Sequence, residues 1–67
     1  MQKVYAGDRV TFLDFDSIER FGEVTAFVLD AGYGFSGFVC WDGITETHRW
    51  GYLSQIMEIN GAVATIT

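Results

Sequence analysis

Gly37-Phe38-Val39-Cys40-Trp41-Asp42-Gly43 is the stretch that decides the fold. Residues of strong β or apolar character run into Asp-Gly, a dipeptide suited to tight hairpin turns. A second run, residues 44–52, leaves that turn and carries Trp50 and Tyr52 back across the first. The resulting hairpin holds both tryptophans of the chain. Its parity depends on the loop. A two-residue turn at Asp42-Gly43 puts Val39, Trp41, Ile44, Glu46, His48 and Trp50 on one face, and a three-residue loop flips the second strand.

Upstream, Gly7-Asp8 signals a turn, and residues 8–15 read as a first strand. Val10 and Phe12 lie on one face of it, with Thr11, Leu13 and Phe15 on the other. Residues 14–22 break the alternation. Asp16-Ser17-Ile18-Glu19 resembles a capping box and Gly22 could close one helical turn, so the segment reads as a structured loop. Residues 23–29 are almost unbroken in β preference and form the second strand. Residues 30–37 hold three glycines and read as a mobile loop displaying Tyr33 and Phe35.

Downstream, residues 52–57 suggest a short helical or 3-10 turn leading into Glu58-Ile59. Asn60-Gly61 is the strongest two-residue hairpin signal and predicts a further strand over residues 62–67. Residues 1–6 read as a frayed start in which Val4 and Tyr5 add at most a short strand. The expectation is an all-β fold: a small antiparallel barrel of five or six strands, in one domain over residues 1–67. Helix is confined to a turn or two near residues 17–21 and 53–57. The expected core is Val10, Val24, Val28, Val39, Trp41, Leu53, Ile56 and Ile59.

Sixty-seven residues make a single small domain with a thin margin of stability. Such domains compensate with disulfides, metals or association. Cys40 is the only cysteine and His48 the only histidine, so no internal disulfide forms and no metal cluster is indicated. Hydrophobic residues are 49% of the chain and aromatics 16%, an apolar excess that argues for contact with a partner. Lys3, Arg9, Arg20 and Arg49 face nine acidic residues, for a net charge of −5. That balance argues against nucleic acid, whose binding depends on basic groups meeting phosphates. No signal-peptide pattern or membrane-length apolar run occurs, and the expected location is cytoplasmic, as suits a free thiol.

The cues Gly7-Asp8-Arg9-Val10, Phe21-Gly22-Glu23-Val24, Trp41-Asp42-Gly43 and Tyr52-Leu53-Ser54-Gln55-Ile56 come in an order that resembles the SH3-like small barrels. Tudor and Mib-Herc2-type modules belong to that group, and the resemblance covers roughly residues 7–59. It implies a barrel used for binding, although fold alone does not set function. The ending Ile56-Met57-Glu58-Ile59-Asn60 is similar to that of the type II dihydrofolate reductases, which assemble as tetramers around a shared pore. Where those carry Val-Gln-Ile-Tyr this chain has His48-Arg49-Trp50-Gly51, so none of their folate- or cofactor-contacting residues carries over.

Tyr33, Phe35, Trp41, Trp50 and Tyr52, with Asp42 and Glu46, are the candidate partner-binding residues. The resemblance to Tudor modules implies an aromatic cage for a methylated lysine or arginine. A small barrel's need for large interior side chains favours one tryptophan inside and the other over its mouth or an interface. Cys40 reads as a small buried hydrophobe, His48 as an ordinary strand residue, and Asp14 with Asp16 as a solvated turn. No catalytic constellation, metal site or cofactor motif is present in the pattern. The first functional reading is therefore a non-catalytic protein- or peptide-binding or assembly module, for which a basic segment is the complementary partner. The second is a small oligomeric enzyme with its site at a symmetry axis, and the third a structural subunit of a larger complex. Strands two and three are apolar on both faces, which predicts a homo-oligomer, a dimer or a tetramer, joined by a sheet face or the C-terminal strand.

Overall fold

The computed structural model describes residues 3–64. The fold is all-β, with six antiparallel strands and one 3-10 turn. These are β1 Arg9–Leu13, β2 Glu19–Gly32, β3 Phe35–Asp42, β4 Thr47–Tyr52, β5 Ile56–Ile59 and β6 Ala62–Val63, with the 3-10 turn at Leu53–Gln55. They form one sheet in the order β4-β3-β2-β1-β5-β6. Among the described residues no ladder joins β4 to β6, so the sheet is open. No helix among the described residues is long and apolar enough to cross a membrane.

Alternation along β1 and β3 builds the core, and a register irregularity in the β1–β5 pairing lets both Ile56 and Ile59 face it. Val10 and Phe12 of β1, Val24 of β2, Phe38 and Cys40 of β3, and Ile56 and Ile59 of β5 are buried together. At the centre, Phe12 and Phe38 meet edge to face at 5.0 Å and 89°, an arrangement that suits the aromatic quadrupole. Val4 and Leu53 pack against this cluster as partly buried neighbours.

Three of the expected core residues lie elsewhere. Val39 is half-buried and Trp41 exposed because β3 turns Phe38 and Cys40 inward, and Val28 of β2 is exposed beyond the register shift between Val24 and Ala26. Either row of β3 is apolar enough for a core. Gly22 decides the matter by leaving room for Cys40: a Cβ built there would meet Cys40 Sγ at 2.7 Å. The β3–β4 loop holds the four residues 43–46, since Asp42 pairs with Thr47 and Trp41 with His48. It is neither of the expected turn lengths. The Asp42 carboxylate accepts the amides of Ile44 at 3.0 Å and Thr45 at 3.4 Å, and Glu46 takes a positive φ of 53°. An even-numbered loop preserves the parity of a two-residue turn, so Val39, Trp41, His48 and Trp50 do share a face.

Residues 16–19 form no helical turn. Asp14 Oδ1 accepts the amides of Asp16 and Ile18 at 2.8 and 2.9 Å, which closes a tight turn and lets β2 start at Glu19. The expected glycine-rich loop is largely strand. β2 continues to Gly32, a two-residue turn at Tyr33-Gly34 reverses the chain, and Phe35 already belongs to β3. Val4 and Tyr5 add no strand, and Met57 lies in β5 rather than in the 3-10 turn. Asn60-Gly61 makes the two-residue turn expected of it, with φ of 51° and 84° and Ile59 paired to Ala62. The expected C-terminal strand is seen as Ala62–Val63, and residues 65–67 lie outside the described residues.

Candidate functional site

The partner-binding candidates separate into two groups. Trp50 and Tyr52 alternate with Gly51 on β4, and Gly51 turns inward. A Cβ on Gly51 would lie 3.4 Å from Phe38 and 3.5 Å from Phe12, so the core fits closely beneath it. The rings of Trp50 and Tyr52 consequently stand on the outer face, 5.6 Å apart and nearly perpendicular. Phe35, of the same parity on β3, meets Tyr52 at 5.7 Å. Gly32 clears the space above this pair, since a Cβ there would come within 2.9 Å of the Tyr52 hydroxyl.

A fourth ring completes the cluster, and sequence reasoning missed it. Phe15, just past the end of β1, lies 4.9 Å from Trp50 and 5.7 Å from Tyr52. Gln55 brings these elements together. Its Nε2 donates to Leu13 O at 2.9 Å and its Oε1 accepts the Tyr52 amide at 2.6 Å. The 3-10 turn is thereby tied to the end of β1, and β4 is carried over Phe15. The one available signal in the sequence was that Phe15 follows Leu13 on the outward row of β1.

Beside Phe15 and Trp50 is an open recess of about 210 Å³, lined also by Asp14, Asp16, His48 and Arg49. Asp14 Oδ2 accepts from Arg20 Nε at 2.8 Å. That hydrogen bond, with those from the Ile18 and Asp16 amides, holds the Asp14 carboxyl below its ordinary value. Among the described residues the Asp16 carboxylate makes no ion pair, so it leaves a free negative charge at the rim. Arg49 Nε faces Asp42 at 3.6 Å and makes no hydrogen bond among the described residues. Burial pushes the Asp42 carboxyl up, but the Ile44 and Thr45 amides, the Thr45 hydroxyl and Arg49 outweigh it and leave the group lowered.

Trp41 and His48 form the second group, a cross-strand pair with rings 4.7 Å apart. His48 also lines the recess beside Phe15 and Trp50. A wider depression of about 340 Å³ lies against Trp41 and is walled by Phe21, Ile44, Glu23 and Glu58. Asp42 borders it and shapes the loop rather than reaching outward. Glu46 sits in that loop, exposed. Tyr33 stands apart at the tip of the β2–β3 hairpin, 94% exposed and with φ of 55°.

Cys40 is fully buried, and its burial pushes the thiol up, an effect that nearby Arg49 only partly offsets. A thiol held protonated and inside is a packing group. Among the described residues no three His, Cys, Asp or Glu gather where they could hold a metal ion. No protein family matches the chain, and neither a curated protein nor a solved structure matches it significantly.

Proposed function

We propose that this chain is a non-catalytic binding module of SH3-like type, which reads a basic segment of a partner protein in the cytoplasm and acts as an assembly of identical copies. The observation that carries the reading is the surface cluster of Phe15, Phe35, Trp50 and Tyr52 on an acidic chain. Phe15 and Phe35 are more than half exposed, and Trp50 nearly so. Rings held edge to face at a surface offer their negative faces to a cation, an attraction of about 0.5–2 kcal/mol. The free carboxylate of Asp16 adds charge where a lysine or arginine head would lie. Arg20 and Arg49 are both engaged by acids of their own chain, so little positive charge opposes such a partner.

Tyr33 supports the same reading. A bulky residue at positive φ is disfavoured, and a hairpin turn of this kind prefers Asn or Gly there. A ring kept at that position in nearly full exposure is suited to contact with another molecule.

Calorimetric titration with a lysine- and arginine-rich peptide tests the proposal. Saturable binding is expected, weakening with salt as surface electrostatics are screened. Trp50→Ala should weaken it by about 2- to 30-fold, the loss of one cation–π contact. Equal affinity in Trp50→Ala and wild type would overturn the assignment of the site.

A further inference from the structure

β2 is far longer than its neighbour on one side. β1 covers it only from Glu19 to Glu23, and the last bonds on that side join Gly7 N to Val24 O and Val24 N to Asp8 O. Beyond Val24 the other side of β2 still pairs with β3, through Ala26, Phe27 and Val28. Among the described residues no strand pairs with residues 25–29 on the side that β1 has left, which leaves an open edge there. The edge is apolar on both faces. Phe27 and Val28 are each 43% exposed and Leu29 is 89% exposed. An uncovered, uncharged edge strand is a template for pairing with another strand.

We infer that residues 25–29 of β2 pair antiparallel with the same residues of a second copy about a two-fold axis, making this edge the dimer interface. The inference rests on the assembly part of the function proposed above and names its surface. Charge selects the occupant. Two chains of net charge −5 repel over most of their surface and can meet only where neither presents charge. Residues 24–29 carry none, whereas Glu23 and Asp30 bracket them. A basic partner finds no acid within this segment to recruit it.

An antiparallel edge is also self-complementary under a two-fold axis, as an isologous interface requires. The proposed register is centred on Phe27. With Phe27 opposite its own copy, Thr25 faces Leu29, Ala26 faces Val28, and Asp30 faces Val24. This register also brings the two Phe27 rings together as a cross-strand aromatic pair.

Size exclusion with light scattering at high micromolar concentration tests this, on wild type and on variants whose circular dichroism matches it. Wild type should run at twice the protomer mass. Leu29→Lys, which alters a side chain the protomer leaves in water, should raise the dimer dissociation constant about tenfold or more. Thr25→Lys should do the same, and Thr25→Lys combined with Leu29→Glu should restore the dimer, because the two positions face each other across the axis. A monomeric wild type, or a dimer unmoved by Leu29→Lys, overturns the inference. So does a monomer whose edge instead takes up a foreign strand. Titrating the same samples with the basic peptide separates the two proposals. A monomer that binds peptide overturns this interface and the assembly part of the proposed function but leaves the peptide site, a dimer unmoved by Leu29→Lys overturns this interface alone, and a dimer broken by Leu29→Lys that binds no peptide supports the interface and overturns only the peptide site.

Discussion

Phe15 and Trp50 lie 35 positions apart in the chain and stack with ring centres 4.9 Å apart, tilted by 50°. One follows the end of β1 and the other lies on the edge strand β4, two strands that no hydrogen-bonded ladder joins among the described residues. The contact makes the candidate site a composite of segments far apart in the sequence. Both rings keep about half their surface in water, so the contact is worth roughly 0.5–1.5 kcal/mol beyond simple burial. A double-mutant cycle with Phe15→Ala and Trp50→Ala, read by urea denaturation, should return a coupling energy in that range. Strict additivity would show that the two rings do not hold each other.

Phe12 is the residue the fold can least lose. Its ring is fully buried and meets Phe38 edge on. Phe12→Ala should cost about 3–5 kcal/mol, most of what a domain of this size has, and leave the chain largely unfolded. Trp41→Ala should cost clearly less, because that ring is 38% exposed and packs against His48 rather than the core. Thermal melts of the two variants side by side decide the order. A Trp41→Ala chain less stable than Phe12→Ala would invert the facing of β3.

Gly22→Ala tests the same facing from the opposite strand. The new Cβ would lie 2.7 Å from Cys40 Sγ, 2.9 Å from Cys40 Cβ and 3.1 Å from Trp41 O. These are fixed core and backbone atoms, so overpacking should destabilise by about 1–3 kcal/mol. An unchanged melting temperature would mean that β2 and β3 are not so closely apposed.

The all-β class, the outward and inward rows of β1, and the Asn60-Gly61 turn were legible in the sequence because each depends on local chemistry. Asn60 and Gly61 both accept positive φ, and any chain with that pair between two apolar runs has the same preference. The facing of β3 was not legible. Phe38 with Cys40 and Val39 with Trp41 are equally apolar rows, and the choice rests on Gly22, a residue of another strand. Asp42-Gly43 misled for a related reason. The carboxylate of Asp42 can cap a wider loop as readily as a tight turn, and its pairing with Arg49 favours the wider one. The cluster was legible in part. Phe35, Trp50 and Tyr52 stood out as large rings near glycines, but Phe15 joins them only through the bridge that Gln55 makes to Leu13 O.

Acid should weaken the fold through Asp14 and Asp42. Both carboxyls titrate below the ordinary aspartate value in the folded chain. A lowered folded-state value means the folded chain holds fewer protons than the unfolded one. The stabilisation is therefore complete above about pH 4 and is lost as the pH falls below that toward the folded values. Asp14→Asn should flatten the acid limb of a melting-temperature profile while leaving the neutral range level. An acid limb unaffected by Asp14→Asn and by Asp42→Asn would assign the loss to other groups.

Tyr33→Asn should keep or raise the stability, by up to about 1 kcal/mol of relieved backbone strain read in a urea melt, because Asn tolerates the φ of 55° that tyrosine resists. A clear loss of stability would give the ring a structural role.

The central claim is that the Phe15, Phe35, Trp50 and Tyr52 cluster receives a basic segment. An NMR titration of the isotope-labelled chain with a lysine- and arginine-rich peptide tests it most directly. The account predicts saturable shifts concentrated on the Trp50 indole N–H and the Phe15 and Tyr52 rings, with the Trp41 indole nearly still. Shifts that never saturate, or that spread over the acidic residues and leave Trp50 unmoved, would contradict it.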